Sequence, residues 1–571
     1  FWLKLCELHS VGAPGSPLKA MAGATVNDTV KIKATGKVGV VTQSNGHAHK
    51  VAGIWYHADD IEVSGASPAV SATPGLPAAA ALSAPALQIL ADRVPDSSEF
   101  NVLVRVQTPT EAPGGQRAPA DIICVLDISG SMGAEATIQN SEGSGGLSLL
   151  DVAKHGVRTV MHALQPQDRL ALVLFDYHGE TCFNLTAMTP EAMVECEAKI
   201  AEIGPRGATN IWNGLEEGLR VCREGLDPKS SKRLAHMILL TDGQTADRNI
   251  VLPKMREARG TSERLPCTVS TFGFGYNIDS PLLVEMAMEG SGVYSFIPDA
   301  GFVGTVFVNH ISNLLTTMAL SAALVLETED GVSELLEVYG GLRVQEAGRG
   351  RKRVDLATLQ FGQTKDVVVR MALKSKEAYL TAQATYELPG GSQESTEFAE
   401  AGPTGPADLK EVSLQRWRLC FSQVLEEAVG KMGGNQTELA PSMELLTSLS
   451  TQMREDASKG QYDSAGYLAD LLADLEGEAT AAVETSAAFQ KWGRHYLPSL
   501  MFAHRRQMCN NFKDPGVQHY GGDMFQDIQQ HADEMFNQLP PPQPTARRGR
   551  ASYGGGGPVR SMAAYNNASA G

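Results

Sequence analysis

At 571 residues, with 43% hydrophobic and 20% charged residues, the chain is long enough for several packed domains and too apolar to be disordered throughout. Its 48 Lys and Arg stand against 65 Asp and Glu, a formal charge of -17 that repels phosphate backbones and anionic headgroups and speaks against a nucleic-acid partner. Eight cysteines without a C-x-x-C pair speak against a disulfide framework or a zinc site and for a reducing, cytoplasmic setting, while the N-x-S/T sequons at Asn27, Asn184, Asn435 and Asn567 keep a secreted alternative open.

The chain opens on Phe1 rather than Met, so residues 1–25 read as the remainder of a longer N-terminal segment. Residues 26–64 carry short alternating strands and an Asn45-Gly46 hairpin signal, which predicts a small SH3-like β-barrel. His47 and His49 there read either as a metal-binding pair or as a polar hairpin flank, and Trp55 and Tyr56 as core or groove residues. Residues 65–86 are uncharged and rich in Ala, Pro and Ser, a linker composition. In 87–118 the stretch "FNVLVRVQT" alternates Phe100, Val102, Val104 and Val106 toward one face, as a strand of a β-sandwich does.

Residues 119–318 switch between buried-strand runs and amphipathic helices. "DIICVLD" precedes a helix with Leu150, Val157, Val160, Met161 and Leu164 at three- and four-residue steps. "LALVLFD", helices near 190–203 and 210–225, "LAHMILLTD", a further helix, "CTVSTFGFG" and a last helix at 301–318 follow. This alternation predicts a doubly wound, mostly parallel α/β sheet of Rossmann-like type, covered on both faces. The apolar run 305–326 contains Asn309, His310 and Asn313, so no membrane span is expected. Residues 319–400 return to strands, expected to complete the sandwich begun at 87–118, with the α/β domain inserted between the two pieces. Residues 407–537 carry helical stripes such as Leu414, Trp417, Phe421 and Leu425, predicting a helical bundle or hairpin pair. The remainder, 538–571, is Pro/Gly-rich with several Arg and reads as a disordered tail.

The chemistry concentrates on three loops. In a doubly wound sheet, ligands collect beyond the carboxyl ends of the strands. "DISGSM" places Asp127 at the end of a strand with Ser129 and Ser131 in the following loop. "RGATNIWNG" sets Thr209 before a helix, and "LLTDGQT" ends another strand in Asp242. Five hard oxygen donors from three loops suit Mg²⁺ or Mn²⁺, which take short hydroxyls directly and carboxylates directly or through bound water. With few negative charges around it, such an ion stays electrophilic toward an external carboxylate. A helix-capping role for Asp127 and Ser129 is the plainer alternative.

On these motifs residues 119–318 resemble a von Willebrand factor type A domain. All five positions of its metal-ion-dependent adhesion site, Asp127, Ser129, Ser131, Thr209 and Asp242, are matched. The flanking β segments and C-terminal helices resemble the wider arrangement of plant ubiquitin ligases of the RING type that contain this domain, although no C-x-x-C RING pattern is present. One departure is an enlarged Gly/Ser-rich loop at 134–146, either a tolerated bulge or a rim that selects the partner.

The resemblance implies a non-enzymatic scaffold in which the bound cation recruits an Asp or Glu of a protein partner. The alternatives are the substrate-recognition part of a ubiquitin-ligase-like protein and a secreted adhesion or matrix protein. Neither G-x-S-x-G, H-E-x-x-H nor a P-loop occurs, and no His or Glu is placed as a base for metal hydrolysis.

Overall fold

An apolar run with no alternation suits a strand buried on both sides, and β8 (Ala120–Asp127) is buried at all eight positions. In the computed structural model β8 lies inside a six-stranded sheet with β9 (Arg169–Phe175), β10 (Gly179–Ala187), β11 (Leu234–Thr241), β12 (Thr268–Phe274) and β13 (Ser291–Ile297), in the order β10-β9-β8-β11-β12-β13. All pairings are parallel except β10 on β9. The structure describes the strands within 29–65, without their side chains. It also describes 82–544 apart from 93–97, 137–145, 226–232, 261–263, 375–377, 403–404, 406–407, 432–438 and 462–465.

Side chains of β8 divide between two cores, as a two-sided strand requires. Ile122, Cys124 and Leu126 pack with α1 (Leu149–Ala163), α2 (Pro190–Glu202) and α6 (Val303–Leu315). Ile123 and Val125 pack with α3 (Ile211–Gly225), α4 (Arg248–Ala258) and α5 (Ser280–Glu289). Because the chain goes first to β9 and later returns to β11 on the other side of β8, the strand order reverses between β8 and β11. That is the switch point at which doubly wound sheets open a crevice.

The sequence reading has no counterpart for β10, α5 and β13. β10 is an edge strand, mostly half-exposed, and lacks a clean alternation. α5 and β13 are separated only by Gly290, so no polar linker marks where the helical period gives way. The expected last helix at 301–318 stops at Leu315, and Thr317 already begins β14 (Thr317–Glu327). The apolar run at 305–326 is thus a helix followed by a strand, and no described helix is long and apolar enough to cross a membrane.

The inserted α/β domain interrupts a β-sandwich. β6 (Ala86–Ala91), β7 (Glu99–Gln107), β15 (Ser333–Val338) and β18 (Thr364–Leu373) make one sheet, ordered β15-β18-β7-β6. β16 (Val344–Gly348), β17 (Arg351–Gln360), β14, β19 (Leu380–Glu387) and β20 (Gln393–Ser395) make the other, with β21 (Ala399–Ala401) also on β19. β7 pairs with β18 along its whole length, joining the chain before the insertion to the chain after it. Phe100, Val102, Val104 and Val106 face the sandwich core. Leu103, on the opposite face of β7, is covered by Val412 and Leu419 of α7 (Leu409–Lys431).

The C-terminal helices are α7, α8 (Leu439–Asp456), α9 (Tyr467–Asp474), α10 (Thr480–Glu484), α11 (Ser486–Ala488), α12 (Arg494–Arg506) and α13 (Asp523–Gln538). These are the helical region expected at 407–537 as a bundle or hairpin pair, and they pack on the preceding elements as well as on one another. Phe421, Leu425, Leu497 and Leu500 join the core on the α5 side of the type of sheet built on β8, whereas Ala532 of α13 reaches the α1/α6 side. The helices bury their stripes on the earlier elements because those faces would otherwise stay exposed.

A separate unit ends at Ala80. In it β1 (Thr29–Ile32), β2 (Val38–Ser44), β3 (Ala48–Val51), β4 (Ile54–His57) and β5 (Ile61–Gly65) form an antiparallel sheet in the order β4-β3-β2-β1-β5. No pairing among the described residues closes it into the expected SH3-like barrel. Residues 1–25, most of the linker, 137–145 of the enlarged loop and the tail from 545 lie outside the described residues.

Candidate metal centre

Asp127 ends β8 and Asp242 follows β11, so the two carboxylates stand on neighbouring parallel strands at the switch point. Both residues are buried. Asp127 Oδ1 accepts the Ser129 backbone N–H at 2.8 Å, and Oδ2 accepts the Thr241 hydroxyl at 2.6 Å. Thr241 Oγ1 in turn accepts the Gly243 N–H at 2.8 Å. Asp242 Oδ1 accepts the Gln244 N–H at 3.2 Å. The Ser129 and Ser131 hydroxyls lie 3.0 Å apart, and a hydrogen bond links Ser131 to Asp242.

Burial pushes the Asp127 carboxyl up to about 7, against the Ser129 and Thr241 donors that hold it down, and the charge of Asp242 adds to the rise. Burial raises Asp242 as well. No basic side chain contributes to either shift. Two buried carboxylates without a cation leave negative charge that water cannot screen, the situation a bound cation relieves.

Backbone bonds fix the three loops against one another. Gly130 N donates to Gly207 O at 3.1 Å and Arg206 N to Ile128 O at 2.6 Å, tying the Ser129/Ser131 loop to the loop that carries Thr209. Asn210 N donates to Asp176 O at 2.8 Å. Gly207 has φ +72°, and a Cβ there would lie 2.8 Å from Asp176 Oδ2, so glycine is required on both counts. The Thr209 carbonyl accepts the Thr245 hydroxyl at 3.4 Å.

The structure therefore brings four of the five expected donors into one bonded set, Asp127, Ser129, Ser131 and Asp242. It places Thr209 on the adjoining loop, half-buried, without a side-chain bond to the others among the described residues. Asp127 and Ser129 do not cap a helix: the turn after Ser129 has no side-chain cap, and α1 is capped by Ser148. Two supporting residues escaped the motif reading. Asp247 accepts the Ile211 and Trp212 N–H groups at 3.2 and 2.9 Å, holding the start of α3 just beyond Thr209. Asp176 braces the Gly207 turn. Asp176 comes directly after β9 and Asp247 six residues after β11, where only the loop path shows their role.

No group of three or more His, Cys, Asp or Glu that could hold a metal occurs among the described residues. An ion at this site would rely on hydroxyl oxygens as much as on carboxylates. The donor set is all hard oxygen, and it fits Mg²⁺ or Mn²⁺ rather than a soft metal.

A family model for the von Willebrand factor type A domain matches residues 120–296. The chain carries a von Willebrand factor type A domain. A second model, VWA / Hh protein intein-like, matches residues 465–534, which run from α9 into α13. Inter-alpha-trypsin inhibitor heavy chain H1 of Mesocricetus auratus is 28% identical over 246 residues, 40% of this chain and 24% of that protein. Heavy chain H2 of Homo sapiens is 24% identical over 243 residues, again 40% and 24%. Uncharacterized protein YfbK of Escherichia coli (strain K12) is 26% identical over 227 residues, 39% of this chain and 36% of that protein. The chain thus matches about a quarter of the length of these heavy chains. Among solved structures, von Willebrand factor type A from Catenulispora acidiphila is 14% identical, with a TM-score of 0.49 over 65% of this chain and 88% of that one. The ArnB paralog VWA2 from Sulfolobus acidocaldarius is 13% identical, with a TM-score of 0.44 over 74% and 97%.

Proposed function

We propose that this protein is a non-enzymatic interaction scaffold whose type A domain captures an Asp or Glu of a protein partner through Mg²⁺ or Mn²⁺. Type A domains serve protein interaction and adhesion at the family level. The single observation that carries the reading is the pair of buried carboxylates, Asp127 and Asp242, both raised by burial and Asp127 further by the charge of Asp242, beside two hydroxyls and without a basic neighbour. Ser129, Ser131, Thr209 and Asp242 would hold the ion, and Asp127, its oxygens already accepting from Ser129 and Thr241, would act on it through bound water. The ion would supply an electrophilic point for a carboxylate that the chain itself does not provide.

Seven described cysteines are free thiols, which supports a cytoplasmic setting over the secreted one. The negative formal charge supports a protein partner rather than nucleic acid. Titration calorimetry with MnCl₂ tests the centre. We expect one site in the full chain, its affinity lowered at least about tenfold, or about 1.4 kcal/mol, by Asp127→Ala, with the far-UV spectrum unchanged. Thr209→Ala should weaken it more than Asn210→Ala; equal Mn²⁺ affinity in all four proteins would remove the assignment.

A further inference from the structure

Two of the large apolar side chains left exposed among the described residues stand in the segments around the metal centre. Tyr177 is 58% exposed and Ile250 47%. Tyr177 belongs to the turn between β9 and β10, directly beyond the carboxyl edge of the sheet. Asn213 Nδ2 donates to its carbonyl at 2.6 Å, Asp176 N donates to His178 O at 3.1 Å, and its ring meets that of His178 edge-on at 5.1 Å. The ring is therefore presented by a bonded turn, so little order has to be gained when a partner meets it. This turn is tied to the Thr209 loop by the Asn210–Asp176 backbone bond. Ile250 lies in the first turn of α4, three residues past Asp247, which bonds the start of α3 from the other side.

Guanidinium groups accompany both. Arg206, in the Gly207 turn, has its side chain 55% exposed and pairs with Asp176 and Glu180. Arg248, at the start of α4, is 49% exposed and pairs with Asp279. These guanidiniums are already matched by carboxylates, so what the loops around the proposed ion leave uncovered among the described residues is the two large apolar side chains, a surface complementary to an apolar side chain carried next to the metal-bound carboxylate.

We propose that this rim selects the partner: the segment captured places a large apolar residue beside its metal-binding carboxylate, with Tyr177 as the specificity-determining contact. The proposal rests on the metal-centred function above. A rigid aromatic at the centre of a small interface is the kind of residue that carries much of its affinity.

Immobilised decapeptides with a central Asp flanked by Phe, Leu, Ser or Lys, probed with the full chain in Mg²⁺ and in EDTA, test it. In Mg²⁺ the Phe and Leu peptides should be retained about tenfold better than the Ser peptide. Tyr177→Ala should erase that preference and keep the Mg²⁺ dependence, whereas Tyr177→Phe should preserve both. Equal retention of Phe and Ser peptides in Mg²⁺, or a preference that survives Tyr177→Ala, overturns the proposal. Retention of every peptide alike in Mg²⁺ and EDTA overturns the metal-centred reading and this one with it.

Discussion

Lys365 shows how single buried groups join the C-terminal helices to the sandwich. Its ammonium donates to the Arg506 carbonyl, and burial, with Arg506 and Arg418 close by, pulls its pKa down to about 7. The neighbouring Asp366 takes two bonds from Arg105, at 2.6 and 3.1 Å, and one from Gln507 at 2.9 Å. The fully buried Arg418 bridges the Asp366 and His504 carbonyls at 2.7 and 2.6 Å. Above about pH 7 the folded lysine sheds a proton that the unfolded chain keeps until about pH 10.5, so stability should rise with pH in that window. Urea unfolding at about pH 7.5 and about pH 9.5 should show the wild type gaining about 2 kcal/mol more than Lys365→Met. A gain of the same size in both proteins would place the proton elsewhere. At this scale the sequence pointed to Asp127, Ser129, Ser131 and Asp242 as one cluster, which the structure joins by hydrogen bonds, because hydroxyls and acids at strand ends have few structural uses. It was silent on Lys365, Arg418 and Asp366, because a charged residue is read as exposed until its partners from distant segments are known.

At the scale of elements, periodicity located the strands and helices wherever a polar turn separated them, as around β8, α1 and the C-terminal helical stripes. It failed at α5 and β13, where Gly290 alone divides two apolar elements, and at β10, whose edge position leaves no strict pattern. It also could not show where the last helix docks. α13 lies against α1 and α6: the Phe536 ring meets His155 at 5.2 Å, and a Cβ on Gly304 would sit 2.3 Å from Phe536 Cε1. Gly304 is thus the gap in α6 that admits α13. Gly304→Val should lower stability by about 1–3 kcal/mol despite removing a helical glycine. The same substitution in a Phe536→Ala background should cost clearly less, which a double-mutant cycle in urea reads directly. A cost that ignores residue 536 would mean that α13 packs through other contacts.

Across the molecule, the insertion and the wrapping helices make the type A domain dependent on chain that lies outside it. One face of its sheet shares a continuous core with the helices, in which Tyr294 and Phe296 of β13 cluster with Phe489, Leu497 and Leu500. Ser280 of α5 meets His495 of α12 at 2.5 Å. The other face receives Ala532, and the sandwich closes only when β7 and β18 meet across the insertion. Removing residues 319–571 would uncover apolar surface on both faces and leave β7 without β18, so the part should not retain the stability of the whole. The described residues from 82 onward form one compact unit, which implies one cooperative transition despite its three architectures. Trp212 reports on the sheet's α3 face and Trp417 on α7. In chains keeping only one of these two tryptophans, the others replaced by Phe, thermal melts followed by fluorescence should have the same midpoint. Two midpoints, with Trp417 losing its environment first, would show that the helices are a detachable cover and that the sheet with the candidate metal centre stands without them.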